Sequence, residues 1–207
     1  MYFTSTTPGR LDSLYQKPGE FDNNLDNQYG VIIDAGSSGS RMFVYTWPKP
    51  SGNKRELLNI YLFNDKEGIP VVKKMTPGLS SFGNNLSGIA KYLSPLLDLA
   101  VKNIPQEKHK ETPIYILATA GMRLLPEKVQ SEIWSVVRLF IVTKYDFIFS
   151  EHNAKTISGA DEGMYGWIAV NYLLRRFDQS HRHSDSSEMG VSCELRYFNL
   201  PHILYEL

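Results

Sequence analysis

The chain has 207 residues, a length that suits one domain with tails, and its 42% hydrophobic content excludes a disordered composition. Its 22 Lys+Arg balance 22 Asp+Glu, so the broad positive field of a general nucleic-acid binder is missing and no nucleic-acid partner is expected. The single cysteine, Cys193, excludes an intramolecular disulfide and a cysteine-rich zinc site, and no run of 18 apolar residues offers a membrane-spanning helix.

Residues 1–28 are rich in Thr, Pro, Gly, Asp and Asn and are expected to form a flexible lead-in. They lack the apolar centre of a secretory leader, so no targeting signal is read in this chain. Residues 29–174 carry the globular pattern. The apolar run 31–33, stopped by Asp34 and Gly36, predicts a buried strand. Residues 41–47 and 57–63 predict two more strands, the second reached through the turn Pro50-Ser51-Gly52-Asn53. Ile89, Leu93, Leu96, Leu97, Ala100, Val101 and Ile104 recur at helical spacing, with Pro95 predicting a kink or a restart at Ser94. A fourth strand is expected over 114–118, and Pro126 introduces an amphipathic helix carrying Val129, Ile133, Val136, Val137 and Phe140. Residues 147–149 predict another strand, and about 158–174 a last helix. Residues 175–207 form a divergent tail, polar through HRHSDSS and apolar again near the end. His181 and His183 in that tract are read as incidental. So is the N-glycosylation sequon Asn85-Leu86-Ser87, which twelve asparagines produce readily by chance.

The predicted order, β-β-β-α-β-α-β-α, implies an α/β fold: a mixed sheet with helices packed on it, as in ribonuclease-H-like and actin-like ATPase lobes. In such sheets ligands bind beyond the carboxyl ends of strands. Three short segments stand there. Gly36 and Gly39 let the backbone of the first turn tightly, while Ser37, Ser38 and Ser40 offer hydroxyls suited to phosphate oxygens. Asp34, ending a buried strand, is placed to hold a hard cation directly or through water. A plain hairpin turn with a capping Asp would account for the same residues. The second segment, residues 118–123, combines small residues with the Thr119 hydroxyl and the Arg123 charge; an ordinary strand-to-helix turn is the alternative. The third, residues 158–167, has adjacent Asp161 and Glu162 at a helix start, where one carboxylate can serve as general base or both can merely complement the helix dipole. Together the three suit phosphoryl transfer to water, with a positioned phosphate, a divalent cation and a base.

At these segments the sequence resembles the ectonucleoside triphosphate diphosphohydrolase (apyrase) family. The family's first motif reads like DAGSSGSR (34–41), and others like ATAGMR (118–123) and GADEGMYGW (159–167). YILATAGMRLLPE and TPGLSSFG look most similar to the intracellular Golgi and lysosomal/endosomal branch. The resemblance implies that Glu162 activates the nucleophilic water. It places Gly36, Ser37, Ser38, Gly39 and Ser40 in the phosphate loop and sets Thr119 and Ala120 beside the attacking water. It also makes Arg123 a supporting charge, with Asp34 orienting Ca2+ or Mg2+ through the ion's water shell. It implies hydrolysis of the terminal phosphate of nucleoside di- or triphosphates without a phosphoenzyme, in the Golgi or endolysosomal lumen.

Family members have two lobes, the second opening on a phosphate loop resembling Asp-Leu-Gly-Gly-Ala-Ser, and they carry membrane anchors. No such loop follows Trp167, so the chain is read as an N-terminal lobe with the second lobe absent. That predicts impaired hydrolysis, an apolar cleft face left open, or a truncated, inactive product that associates with a full-length relative. An exopolyphosphatase-like enzyme shares a similar first loop and acidic third motif; the run Met164-Tyr165-Gly166-Trp167 favours the apyrase side.

Overall fold

A computed structural model describes residues 27–53, 57–174 and 176–177. The run at 31–33 grows into β1 (Asn27–Ala35), which starts two residues inside the expected lead-in. It is followed by β2 (Ser40–Pro48), β3 (Tyr61–Leu62), β4 (Val72–Met75), α1 (Gly88–Asn103), β5 (Ile114–Ala118), α2 (Ala120–Arg123), α3 (Glu127–Lys144), β6 (Ala154–Thr156) and α4 (Gly159–Leu173). The sheet order is β3-β2-β1-β5-β6, with β4 pairing along the other half of β2. β2 runs antiparallel to β1, whereas β1, β5 and β6 are parallel.

Alternation along the strands sets the two faces. Val31, Ile33 and Ala35 of β1 align with Ile114, Ile116 and Ala118 of β5, and all are at most 1% exposed. Met42 and Val44 extend these rows into β2. α1 covers this face with Ile89, Leu93, Leu96, Leu97 and Ala100, and α3 with Ile133, Val137 and Ile141. Each fully buried aliphatic side chain contributes roughly 1.5–3 kcal/mol, so this layer supplies the main drive for folding.

Four local expectations are corrected. Of residues 57–63 only Tyr61 and Leu62 pair as a strand. The β4 strand escapes an apolar-run search because Lys73 and Lys74 fill its middle. Residues 147–149 contribute a single bridge, Ile148 to Pro113. The sheet's last strand is β6, because a 3₁₀ turn at Glu151–Asn153 intervenes and the buried Asn153 donates from Nδ2 to the Ile114 carbonyl (3.0 Å). Finally, α1 continues through Pro95 without restarting at Ser94, since Leu93, Leu96 and Leu97 anchor both sides of the proline in the core. The tail at 178–207, with Cys193 and the histidine pair, lies outside the described residues.

α4 is attached sparsely. Asn171 is its one buried residue, while Trp167, Val170, Leu173 and the following Leu174 are each 50–56% exposed. The Tyr172 hydroxyl ties its far end to the segment before β3, accepting from Ile60 N–H (2.8 Å) and donating to the Leu58 carbonyl.

Candidate active site at the carboxyl ends of the parallel strands

The parallel direction of β1, β5 and β6 brings their carboxyl ends, and so the three glycine-containing segments, to one edge of the sheet. Asp34 stands in register between Leu117 on β5 and Arg41 on β2. Its neighbours on β1, Ile33 and Ala35, face the core, so Asp34 points to the opposite, open face. Partial withdrawal from water raises its pKa; Arg41 counteracts this and Glu162 adds to it.

Residues 36–39 form the loop after β1, with Ser37 and Ser38 exposed. It is held by close backbone packing. A Cβ at Gly39 would lie 2.5 Å from the Met75 carbonyl oxygen, and one at Gly78 would strike the carbonyl oxygens of Gly36 and Ser37. A Cβ at Gly121 would lie 2.8 Å from the Ser37 Cα. Gly39 is therefore required by close approach to the end of β4; among the described residues the positive-φ glycines are Gly52 and Gly68, outside this loop. Gly121 belongs to the second expected segment, 118–123, whereas Gly78 was not expected in the site. The role of Gly78 is visible only once the chain following β4 is known to flank the loop.

Ser40 departs from its expected role. It is fully buried: its N–H donates to the Tyr92 hydroxyl (3.1 Å) and its Oγ accepts from that hydroxyl (2.9 Å). The fold turns it away from the loop mouth. Its place among predicted phosphate donors is corrected to a contact that fixes the start of β2 on α1.

Thr119 links the second segment to the first, its N–H donating to the Ala35 carbonyl (3.3 Å). Its own carbonyl accepts from Met122 and Arg123 N–H, closing α2, and Ala120 is exposed at the helix start. From this short helix Arg123 reaches α4. Nη1 donates to the Ile157 carbonyl (2.9 Å), and Nη1 and Nη2 both donate to Glu162 Oε2 (3.1 Å each).

The two adjacent carboxylates are separated in role. Asp161 forms a capping box: its N–H donates to Ser158 Oγ (3.0 Å), and its Oδ2 accepts from Ser158 N–H (3.2 Å). The Ser158 hydroxyl and N–H hold the Asp161 pKa below the usual carboxylate range. Glu162, one residue on, turns about 100° around the helix and meets Arg123 instead. The helix-dipole reading thus fits Asp161, and the chemical reading fits Glu162.

Among the described residues no three His, Cys, Asp or Glu side chains cluster to cage a metal. The donor set does fit a hydrated divalent cation. Asp34 offers one exposed strand-end carboxylate beside the 36–39 loop, and such ions keep several waters while bridging one or two carboxylates to phosphate oxygens.

Residues 21–192 match the GDA1/CD39 (nucleoside phosphatase) family. The chain belongs to this family. It is 49% identical over 156 residues to mouse ectonucleoside triphosphate diphosphohydrolase 4, covering 75% of this chain and 25% of that protein. It is 47% identical over 174 residues to human ectonucleoside triphosphate diphosphohydrolase 7, covering 84% of this chain and 28% of that protein. The chain therefore spans about a quarter of the length of these relatives of the nucleoside phosphatase family. In structure it is similar to a nucleoside triphosphate hydrolase from Neospora caninum, with a TM-score of 0.51 and 19% identity over 72% of this chain and 32% of that one. The fold is one lobe of the ribonuclease-H-like, actin-like type.

Proposed function

We propose that this lobe contributes the water-activating half of a site hydrolysing the terminal phosphate of nucleoside di- or triphosphates. The observation that carries the proposal is the Arg123–Glu162 pair. It sits at the same sheet edge as Asp34 and the exposed Ser37–Ser38 loop, in a chain of the nucleoside phosphatase family. Ser37, Ser38 and the N–H groups of residues 36–39 present donors to phosphate oxygens. Glu162, oriented by Arg123, accepts the proton of a water aimed at the terminal phosphorus, with Thr119 and Ala120 lining that approach. Ca2+ or Mg2+, when bound near Asp34, supplies neutralisation of charge on the phosphates.

The open α4 face, with Trp167, Val170 and Leu173, is read as packing surface for the rest of a nucleotide-holding unit, supplied by further sequence or by a full-length relative. The compartment is read as the Golgi or endolysosomal lumen, following the resemblance.

The test is phosphate release from UDP, GDP and ATP with Ca2+ or Mg2+, beside Glu162→Ala. Release that disappears in the variant supports hydrolysis by this lobe. Absence of release in both, restored on adding a full-length relative whose own Glu is inactivated, supports the associating product. Release from polyphosphate but not from UDP would favour the exopolyphosphatase-like reading instead.

A further inference from the structure

Asn85-Leu86-Ser87 is the chain's one Asn-x-Ser/Thr tripeptide, and nothing in the proposed hydrolysis uses it. It connects the 3₁₀ turn Leu79–Asn84 to α1. Leu86 packs against the core, while Asn85 and Ser87 on either side are exposed. The backbone is a closed turn, with Asn85 N–H donating to the Phe82 carbonyl (2.9 Å) and Gly88 N–H to the Asn85 carbonyl (3.0 Å). Across the tripeptide Ser87 Oγ donates to Asn85 Oδ1 (3.0 Å). That bond occupies the amide oxygen and leaves Nδ2 with no hydrogen-bond partner among the described residues. Gly88 keeps Nδ2 clear, since a Cβ there would crowd it at 3.0 Å.

We infer that Asn85 is the acceptor of an N-linked oligosaccharide. The co-reactant is a lipid-diphosphate-linked oligosaccharide, and the step is a substitution at the sugar's anomeric carbon. The Nδ2–C bond forms, the bond from that carbon to the diphosphate oxygen breaks, the lipid diphosphate leaves with the bonding pair, and one amide proton passes to a base of the transferase. Nothing is oxidised or reduced. The +2 hydroxyl is part of the tripeptide an acceptor requires, and the bulky oligosaccharide requires that the tripeptide stand at the surface of the folded chain. The structure leaves Asn85 and Ser87 exposed on this turn, with Leu86 as anchor, so the folded chain accommodates an oligosaccharide there. The inference rests on the lumenal reading above only for where the donor is met.

The experiment expresses the full chain in eukaryotic cells twice, with and without an added cleavable secretory leader. Total cell and medium fractions are treated with a peptide-N-glycan amidase. The leader-cleaved chain is expected to shift by one discrete mobility step and to show Asn85 converted to Asp by peptide mass mapping. Asn85→Gln and Ser87→Ala should abolish the step; Ser87→Thr and Asn84→Gln should keep it. Leader-cleaved chain carrying unmodified Asn85 overturns the inference. Modification with the leader but none without it keeps the acceptor and counts against the lumenal reading alone. Phosphate release by Asn85→Gln should match that of the parent chain, so loss of hydrolysis elsewhere does not bear on this result.

Discussion

Arg123 grips Glu162 through one oxygen: Nη1 and Nη2 each lie 3.1 Å from Oε2, while a third bond, from Nη1 to the Ile157 carbonyl, fixes the guanidinium from behind. Among the described residues Oε1 accepts no hydrogen bond, so one oxygen is anchored and the other stays open to a water. The pair joins α2 to the first turn of α4, an element otherwise loosely attached.

Glu162→Gln should lower phosphate release by ~10²-fold or more, since it keeps the shape and removes the base. Arg123→Lys should cost up to ~10²-fold in kcat, because a single ammonium does not reproduce the guanidinium's contacts to both Oε2 and the Ile157 carbonyl. Both variants should unfold at an unchanged urea midpoint, given that the pair is half-exposed. An Arg123→Lys protein with the parent kcat would remove Arg123 from the mechanism.

The glycines divide into two kinds. Gly39→Ala puts a methyl 2.5 Å from the Met75 carbonyl and should destabilise by ~1–3 kcal/mol, read as a lower denaturation midpoint. Gly163→Ala meets nothing within 4 Å and lies inside α4, so it should stabilise the isolated chain by up to ~1 kcal/mol. If the open α4 face packs against another lobe, the same Gly163→Ala should weaken that association, measured by co-sedimentation with a full-length relative.

Tyr92→Phe leaves the Ser40 N–H and Oγ, both buried, without their shared partner, and should cost ~1–3 kcal/mol by urea denaturation. Ser40→Ala should leave phosphate release close to the parent value, whereas Ser37→Ala and Ser38→Ala should raise KM. Equal kinetic losses at all three positions would return Ser40 to the phosphate loop.

Two carboxylates give opposite pH dependences. Asp161 has a lowered pKa in the folded chain, so its contribution is present above the unfolded carboxylate pKa and is lost as pH falls through the folded value. The stability difference between the parent and Asp161→Asn should therefore vanish in acid. Asp34 has a raised pKa, so the folded chain holds its proton longer and stability falls as pH rises through the carboxylate range. Asp34→Asn should match the parent in acid and exceed it at neutral pH, with the gap narrowing when nucleotide and a divalent cation are added. Thermal melts between acid and neutral pH check both.

Much of this protein is legible in one dimension. Residues 31–33 and 114–118 announce buried strands because their apolar side chains are consecutive, and α1 and α3 announce themselves through a 3.6-residue stripe. The motif residues Asp34, Ser37, Ser38, Thr119, Ala120, Arg123 and Glu162 are also readable, since glycines, hydroxyls and charges between regular elements interrupt the apolar pattern. β4 and β6 are not, because a short edge strand with lysines at its centre has no periodicity to detect.

The sequence alone determined which residues are apolar, where the chain must turn and which polar groups lie between elements, all properties of near neighbours. Only the tertiary structure decided which of those groups meet. Parallel pairing of β1 with β5 and of β5 with β6 gathers three distant loops at one edge. The 3.6-residue helical turn sends Asp161 to its own helix cap and Glu162 to Arg123, 39 residues away. Ser40 and Ser38 look alike in sequence, yet burial under Tyr92 makes one a structural contact and leaves the other facing solvent. These outcomes depend on long-range packing and the direction of each side chain, which local composition does not encode.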